Sequence, residues 1–179
     1  MIRKRPTPSV AARLCTHCGL CCDGVLFDRV PVEEIEHERL TRLGFQVLRF
    51  ETGKAYFQQA CSKFDGTHCT VYEQRPESCR SFRCELFKSV ERDHISLSKA
   101  LSLVQEAKEV IGRLRPMLAG QPPKCMGEHW AASFESWQRS SAAERAMPSK
   151  INTVAHLTAL NRILDRYFRK PKDRWIKES

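Results

Sequence analysis

Cysteine is the residue type that sets this sequence apart: nine occur in 179 residues. Eight of them fall between Cys15 and Cys84, which leaves Cys125 alone in the second half. Cys15, Cys18, Cys21 and Cys22 form a C-x2-C-x2-C-C run, and Cys61, Cys69, Cys79 and Cys84 follow at wider spacing. A two-residue gap lets both sulfurs of a pair turn inward on one ion while backbone N–H groups point at them. Adjacent side chains diverge in helix and strand alike, so Cys21 and Cys22 are expected to face two different centres. Eight thiolates divide into two four-coordinate sites, interleaved or abutting, to which the early run and the later cysteines both contribute. The spacing alone leaves the allocation of individual cysteines open. Ligation by thiols alone suits zinc and iron–sulfur clusters equally. The C-x2-C-x2-C spacing matches three ligands of a cubane cluster with a remote fourth, although here a fourth cysteine follows at once instead of after three residues and a proline.

These thiols read as metal ligands, not disulfides, because a cytoplasmic, reducing environment is expected. The basic start Met1–Pro8 is followed by apolar residues too few and too interrupted for a signal-peptide core. No apolar run approaches the roughly 18 residues that cross a bilayer, so no membrane span is expected. The hydrophobic (41%) and charged (28%) fractions are those of an ordinary soluble globular chain. The formal net charge of +9 invites a nucleic-acid or membrane-surface reading. Ligation of two divalent ions by eight thiolates would lower it to about +5, so part of the basicity offsets the cluster itself.

The elements that must position these cysteines read as a mainly helical α+β fold. Residues 1–14 are expected to be a basic mobile arm, 15–90 a cysteine-cluster metal-binding module, and 91–179 a helical segment packed with it. Gly24–Phe27 suggests a short strand, and Pro31 the first helical position of a helix over Val32–Leu40 that Gly44 stops. Phe45–Phe50 and Ala55–Gln58 flank the turn Glu51–Lys54 as a hairpin that delivers the chain to Cys61. From Ser96 the spacing is helical: Leu97, Leu101, Val104, Ala107, Val110, Ile111 and Leu114 share one face, and the helix is expected to end before Pro116. Gly120–Pro123 reads as a linker, followed by helices near His129–Ser140 and Ile151–Arg169.

The stretch from Cys61 to Cys84 contains C-T-V-Y-E-Q-R-P-E-S-C-R-S-F around Cys69 and Cys79. Together with the C-x2-C-G-x-C-C opening it resembles the YkgJ-like cysteine-cluster proteins, a zinc- or iron-chelating family, over about residues 15–84. The resemblance implies that Cys15, Cys18, Cys21, Cys22, Cys61, Cys69, Cys79 and Cys84 are ligands, and Arg83 stands where the pattern has a proline. It implies nothing for residues 91–179. Independently of any family, the guanidinium groups of Arg75 and Arg80 are suited to balance thiolate charge from a shell outside the ligands. Tyr72 and Phe82 are suited to exclude water.

Other groups carry less. His17 and His68 adjoin cysteines, but enough thiols exist without them, and Asp23 and Asp65 read as turn residues. Cys125 reads as a free thiol. Arg162, Arg166, Arg169, Lys170, Lys172, Arg174 and Lys177, with Tyr167 and Trp175 for stacking, could contact phosphates, yet a solvated helix end complementing its own dipole accounts for them more simply. No P-loop, dinucleotide fingerprint or H-E-x-x-H is present, so the sequence offers no catalytic motif. Three functions compete: a zinc module presenting a helical surface to a protein partner, an iron–sulfur redox or electron-transfer protein, and a zinc-scaffolded nucleic-acid binder.

Overall fold

The computed structural model describes residues 10–121 and 125–174. The expected arm lies partly outside this range, and its last residues are not an arm. Val10–Cys18 form helix α1, with Ala11 and Leu14 buried. Those two apolar side chains, three apart, share one helix face and anchor it on the core.

The tight loop after α1 is followed by strand β1 (Arg29–Val32), a single 3-10 turn at Glu34–Glu36 and helix α2 (His37–Arg42). Two expectations are corrected here. Gly24–Phe27 is turn and bend, and Pro31 sits in β1 instead of opening a helix. Pro31 is tolerated because β1 is an edge: the sheet order is β1-β3-β2, all antiparallel, and a residue without an N–H costs least there. Val30 and Val32 alternate inward from this edge, so burial of a two-residue period outweighs the helix-start signal. Gly44 stops α2 as expected, with φ +77 and its N–H on the Thr41 carbonyl at 2.8 Å. The hairpin forms as read: β2 (Val47–Arg49) pairs with β3 (Ala55–Gln58) in the register Val47↔Phe57. Its inner residues Ala55 and Phe57 build a small core with Val30, Val32, Leu40 and Phe45.

Helices α3 (Glu77–Ser81), α4 (Glu85–Glu91), α5 (Leu97–Met117), α6 (Met126–Arg139), α7 (Ala142–Arg145) and α8 (Pro148–Tyr167) complete the mainly helical α+β architecture. Ser96 caps α5 by accepting the Lys99 N–H. That helix runs through Pro116 instead of stopping before it, and ends one residue later at Met117. α7 is held by a capping box between Ser141 and Glu144 that the sequence reading passed over.

The larger core spans both halves of the chain. Leu14, Leu20, Val25 and Leu26 pack with Leu86 and Phe87 of α4, Leu103, Val104 and Ile111 of α5, and Leu157, Leu164 and Phe168 at the C-terminal end. Polar ties cross the same boundary: Lys108 Nζ donates to the His17 carbonyl at 3.0 Å, Arg115 pairs with Asp23, and the Met126 N–H meets the Val25 carbonyl at 3.2 Å. The helical half is thus the wall against which the first cysteines are set.

Candidate metal centre

Each cysteine is delivered by a recognisable local device. Cys15 and Cys18 lie three apart in the last turns of α1, on one helical face. The chain then turns sharply at Gly19, whose φ of +70 and close approach to Phe64, 2.5 Å from where a Cβ would stand, strongly favour glycine. Cys21 and Cys22 follow in that loop. The hairpin brings Cys61 beside it, and the Cys61 N–H donates to the Cys22 carbonyl at 2.8 Å. Asp65 folds the next segment back by accepting the N–H groups of Thr67 and His68, both at 2.8 Å, so that Cys69 bridges to Phe64 beside Cys61. These bonds hold the Asp65 carboxyl down at about 2. Cys79 sits in α3, which Ser78 ties to β1 through the Pro31 carbonyl at 2.7 Å. Cys84 caps α4, its sulfur accepting the Phe87 N–H at 3.3 Å.

All described cysteines are free thiols. They fall into two sets. Among charged neighbours, Cys21 feels Cys18 and Cys84 before any other thiol, whereas Cys22 feels Cys69, Cys61 and Cys79. Cys21 and Cys22 also act on one another, and both line the cavities on either side of them. Cys18, Cys21 and Cys84 pack against the larger core, and Cys61 and Cys79 against the sheet core. Cys15 lies between the sets, since Cys18, Cys84, Cys22 and Cys79 all feel it. A small cavity of about 50 Å³ is lined by Cys15, Cys18, Cys21, Cys22 and Cys84 with Leu14, Phe87 and Phe168. A larger one of about 280 Å³ is lined by Cys15, Cys21, Cys22, Cys61, Cys69 and Cys79 together with Phe27, Phe45 and Phe57. Phe82 lines both, in edge-to-face contact with Phe27 at 5.0 Å.

Burial dominates the electrostatics. It pushes Cys18, Cys22 and Cys79 up to about 12 and Cys84 to about 11, and it raises Cys21 and Cys61, so in the metal-free chain these thiols are protonated at neutral pH. Burial raises Cys15 as well, opposed by the charges of Arg75 and Arg83 and a hydrogen bond from Arg75. Arg75 is fixed for this: its guanidinium lies 3.5 Å from the centre of the Tyr72 ring, and its Nε donates to the Tyr72 carbonyl at 2.7 Å. Arg80 has a different task. Its Nε and Nη2 donate to the carbonyls of Arg75 and Glu73, bracing the loop that carries Arg75. Arg83, to which the sequence reading gave no role, lies over the Phe87 ring at 4.7 Å.

The donor set fits a thiophilic ion, since eight thiols converge with cationic groups beside them. Their positions are open, however: among the described residues no three His, Cys, Asp or Glu side chains stand ready to hold one ion. Of the neighbouring histidines, His17 places Nδ1 at the Arg13 carbonyl (2.7 Å) and His68 places Nδ1 at Asp65 (3.0 Å). Cys125 is buried at the start of α6, and no other cysteine is among the groups acting on it.

The basic C-terminal set is also sorted. Arg162, Arg166, Lys170 and Lys172 are exposed, whereas Arg169 is buried, with Nη1 on Asp165 at 2.8 Å and Asn161 at 2.7 Å, and is not available to a phosphate. Trp175 and Lys177 lie outside the described residues. No described helix is long and apolar enough to cross a membrane.

A small sheet and a helical wall that gather eight free thiols define a cysteine-cluster domain. Residues 14–101 match the sequence model of the CxxCxxCC family, described as "Putative zinc- or iron-chelating domain". Comparison with curated proteins and with solved structures finds no match.

Proposed function

We propose that residues 15–84 bind two metal centres, of zinc or iron, through thiolates alone. Cys22, Cys61, Cys69 and Cys79 hold one; Cys18, Cys21 and Cys84, completed by their α1 neighbour Cys15, hold the other. The observation that supports this reading is that Cys18, Cys21 and Cys84 pack against the larger core, whereas Cys61 and Cys79 pack against the sheet core. Arg75, and Arg83 beyond it, offset the charge of the Cys15 thiolate. Bound zinc would knit the fold, and an iron–sulfur cluster would add electron transfer. The residues' own work is to enclose the centres: Phe168, Leu14 and Phe87 exclude water from one, Phe82 stands between them, and Tyr72 orients Arg75.

Elemental analysis of protein made in medium replete in iron and zinc and purified without oxygen tests the reading. Metal held in stoichiometric amount supports it, and less than about half an ion per chain overturns it. Visible sulfur-to-iron charge-transfer absorption in the same sample assigns iron–sulfur; a colourless, zinc-loaded protein assigns zinc.

A further inference from the structure

The segment from Gln74 to Cys79 carries two groups of the site, the Arg75 guanidinium and the Cys79 thiol, on very little structure of its own. Helix α3 is five residues long, and Pro76 before it offers no side-chain cap. Local sequence alone would leave the Glu77 N–H at the start of that helix without an acceptor. It is taken instead by the carboxylate of Glu36, 41 residues away, with Oε2 at 3.1 Å and Oε1 at 3.3 Å. The same carboxylate pairs with Arg39, three residues on in α2, and Arg39 Nη1 donates to the Gln74 carbonyl at 2.8 Å.

The pair thus grips the backbone on both sides of Arg75. Between the two grips lie only Arg75 and Pro76. Pro76 is fully buried, its φ of −54 held by the ring, and a residue before proline is kept extended, as Arg75 is with ψ 149. Few torsions remain free, so the two anchored ends set the direction in which the Arg75 side chain leaves for Cys15 and the Tyr72 ring. The base of the grip is seated as well. Leu40 of α2 is 0% exposed in the sheet core against which Cys61 and Cys79 pack, and Ser78 adds a third tie to the Pro31 carbonyl. No residue of α2 belongs to the larger core, where Cys18, Cys21 and Cys84 pack.

We infer that Glu36 and Arg39 are positioning residues of the centre to which Cys79 belongs, setting where the Cys79 sulfur and the Arg75 guanidinium stand. They act through the backbone they hold and not as ligands, and they act on one centre of the two. That a metal is what they serve rests on the function proposed above; the grip on Gln74 and Glu77 does not.

The test loads the full-length protein with cadmium-113 in place of its native metal, so that each thiolate centre gives its own NMR resonance. Cys79→Ser marks the resonance of its centre by altering it. In Glu36→Ala and in Arg39→Ala that resonance is expected to shift or broaden with cadmium content unchanged, while the other stays. A chelator is expected to extract the cadmium of the affected centre roughly tenfold faster. Glu36→Gln keeps an oxygen for the Glu77 N–H and is expected to fall between Glu36→Ala and the wild type. A tie that served stability alone would lower the unfolding midpoint and leave both resonances in place, and that result, or equal displacement of both, overturns the inference. Arg39→Ala, at the more exposed side chain of the pair, decides if Glu36→Ala does not fold. Amide hydrogen exchange over residues 74–82, with and without metal, follows the grip itself. It is expected to speed up in both alanine variants while exchange in α5 is unchanged. A wild-type chain that takes up no cadmium overturns the metal reading; faster exchange at 74–82 then still supports the hold on Arg75 and Cys79, and unchanged exchange overturns that too. Full cadmium with neither readout moved overturns the inference alone.

Discussion

Two neighbouring substitutions, Cys21→Ser and Cys22→Ser, are expected to have different consequences. In the proposed division Cys21 belongs with Cys18 and Cys84, and it packs on the core shared by α1, α4, α5 and the Phe168 end of the chain. Cys22 faces Cys61, Cys69 and Cys79, and its carbonyl holds the Cys61 N–H at 2.8 Å. Structural zinc contributes roughly 10–16 kcal/mol in small peptides, so one ligand in four corresponds to about 2.5–4 kcal/mol. That is a large fraction of the ~5–15 kcal/mol that keeps an ordinary domain folded. Each variant is therefore expected to lose the metal of its own site while keeping the other. Metal-to-protein ratios from mass spectrometry, with limited proteolysis and peptide mapping, read both effects. Cys21→Ser is expected to open the α1 and α4 regions and reduce helical circular dichroism. Cys22→Ser is expected to open the hairpin and the 59–82 segment and leave the long helices intact. If both variants lost all metal, or gave one cleavage pattern, the adjacent cysteines would serve a single centre and the division into two sets would be wrong.

Three further outcomes follow from the same geometry. Phe168→Ala empties one of the largest fully buried side chains, 2% exposed and against the cavity that Cys84 lines, and is expected to cost about 3–5 kcal/mol in denaturant unfolding. Cys125→Ser is expected to leave the metal-to-protein ratio unchanged, since that thiol stands apart from both sets; loss of metal in this variant would break the assignment. In the metal-free chain, burial raises Cys18, Cys22 and Cys79 to about 12, above an unfolded value of about 8.5. The stability tied to these thiols is fully present below pH ~8.5 and declines as pH rises toward 12, by up to roughly 1.4 kcal/mol per pH unit for each, because the unfolded chain loses protons the folded one keeps. Denaturation midpoints falling between pH 8 and 10.5 are the expected readout, and a flat profile would contradict the burial.

The long helices were legible because their information is local. α5 announces itself by its apolar stripe and by Ser96, and Gly44 marks the end of α2 by a backbone conformation that a side chain resists. The proposed division of cysteines at 21 and 22 starts from a similarly local argument, since divergence of adjacent side chains needs no tertiary knowledge. The partner of each half was not, because it depends on contacts such as Cys61 N–H to Cys22, made across a whole hairpin. Pro31 misled because its helix-start signal is identical whether it precedes a helix or occupies an edge strand, and the pairing with Tyr56 decides. Val10–Leu14 read as an arm because one turn of apolar residues is too short a pattern to distinguish from a tail, until α4 and α5 supply the surface it covers. Gln59 and Arg169 were invisible for the opposite reason: polar residues carry no sequence mark of being buried, and each is inside the protein.

X-ray absorption at the metal edge, on full-length protein purified without oxygen, measures most directly whether thiols alone hold the metal. The prediction is four sulfur neighbours per metal at about 2.3 Å, for zinc and for iron alike, with no nitrogen or oxygen in the first shell. A shell containing imidazole nitrogen or carboxylate oxygen, with His17, His68 or Asp65 as the nearest sources, would contradict the two-thiolate-set account.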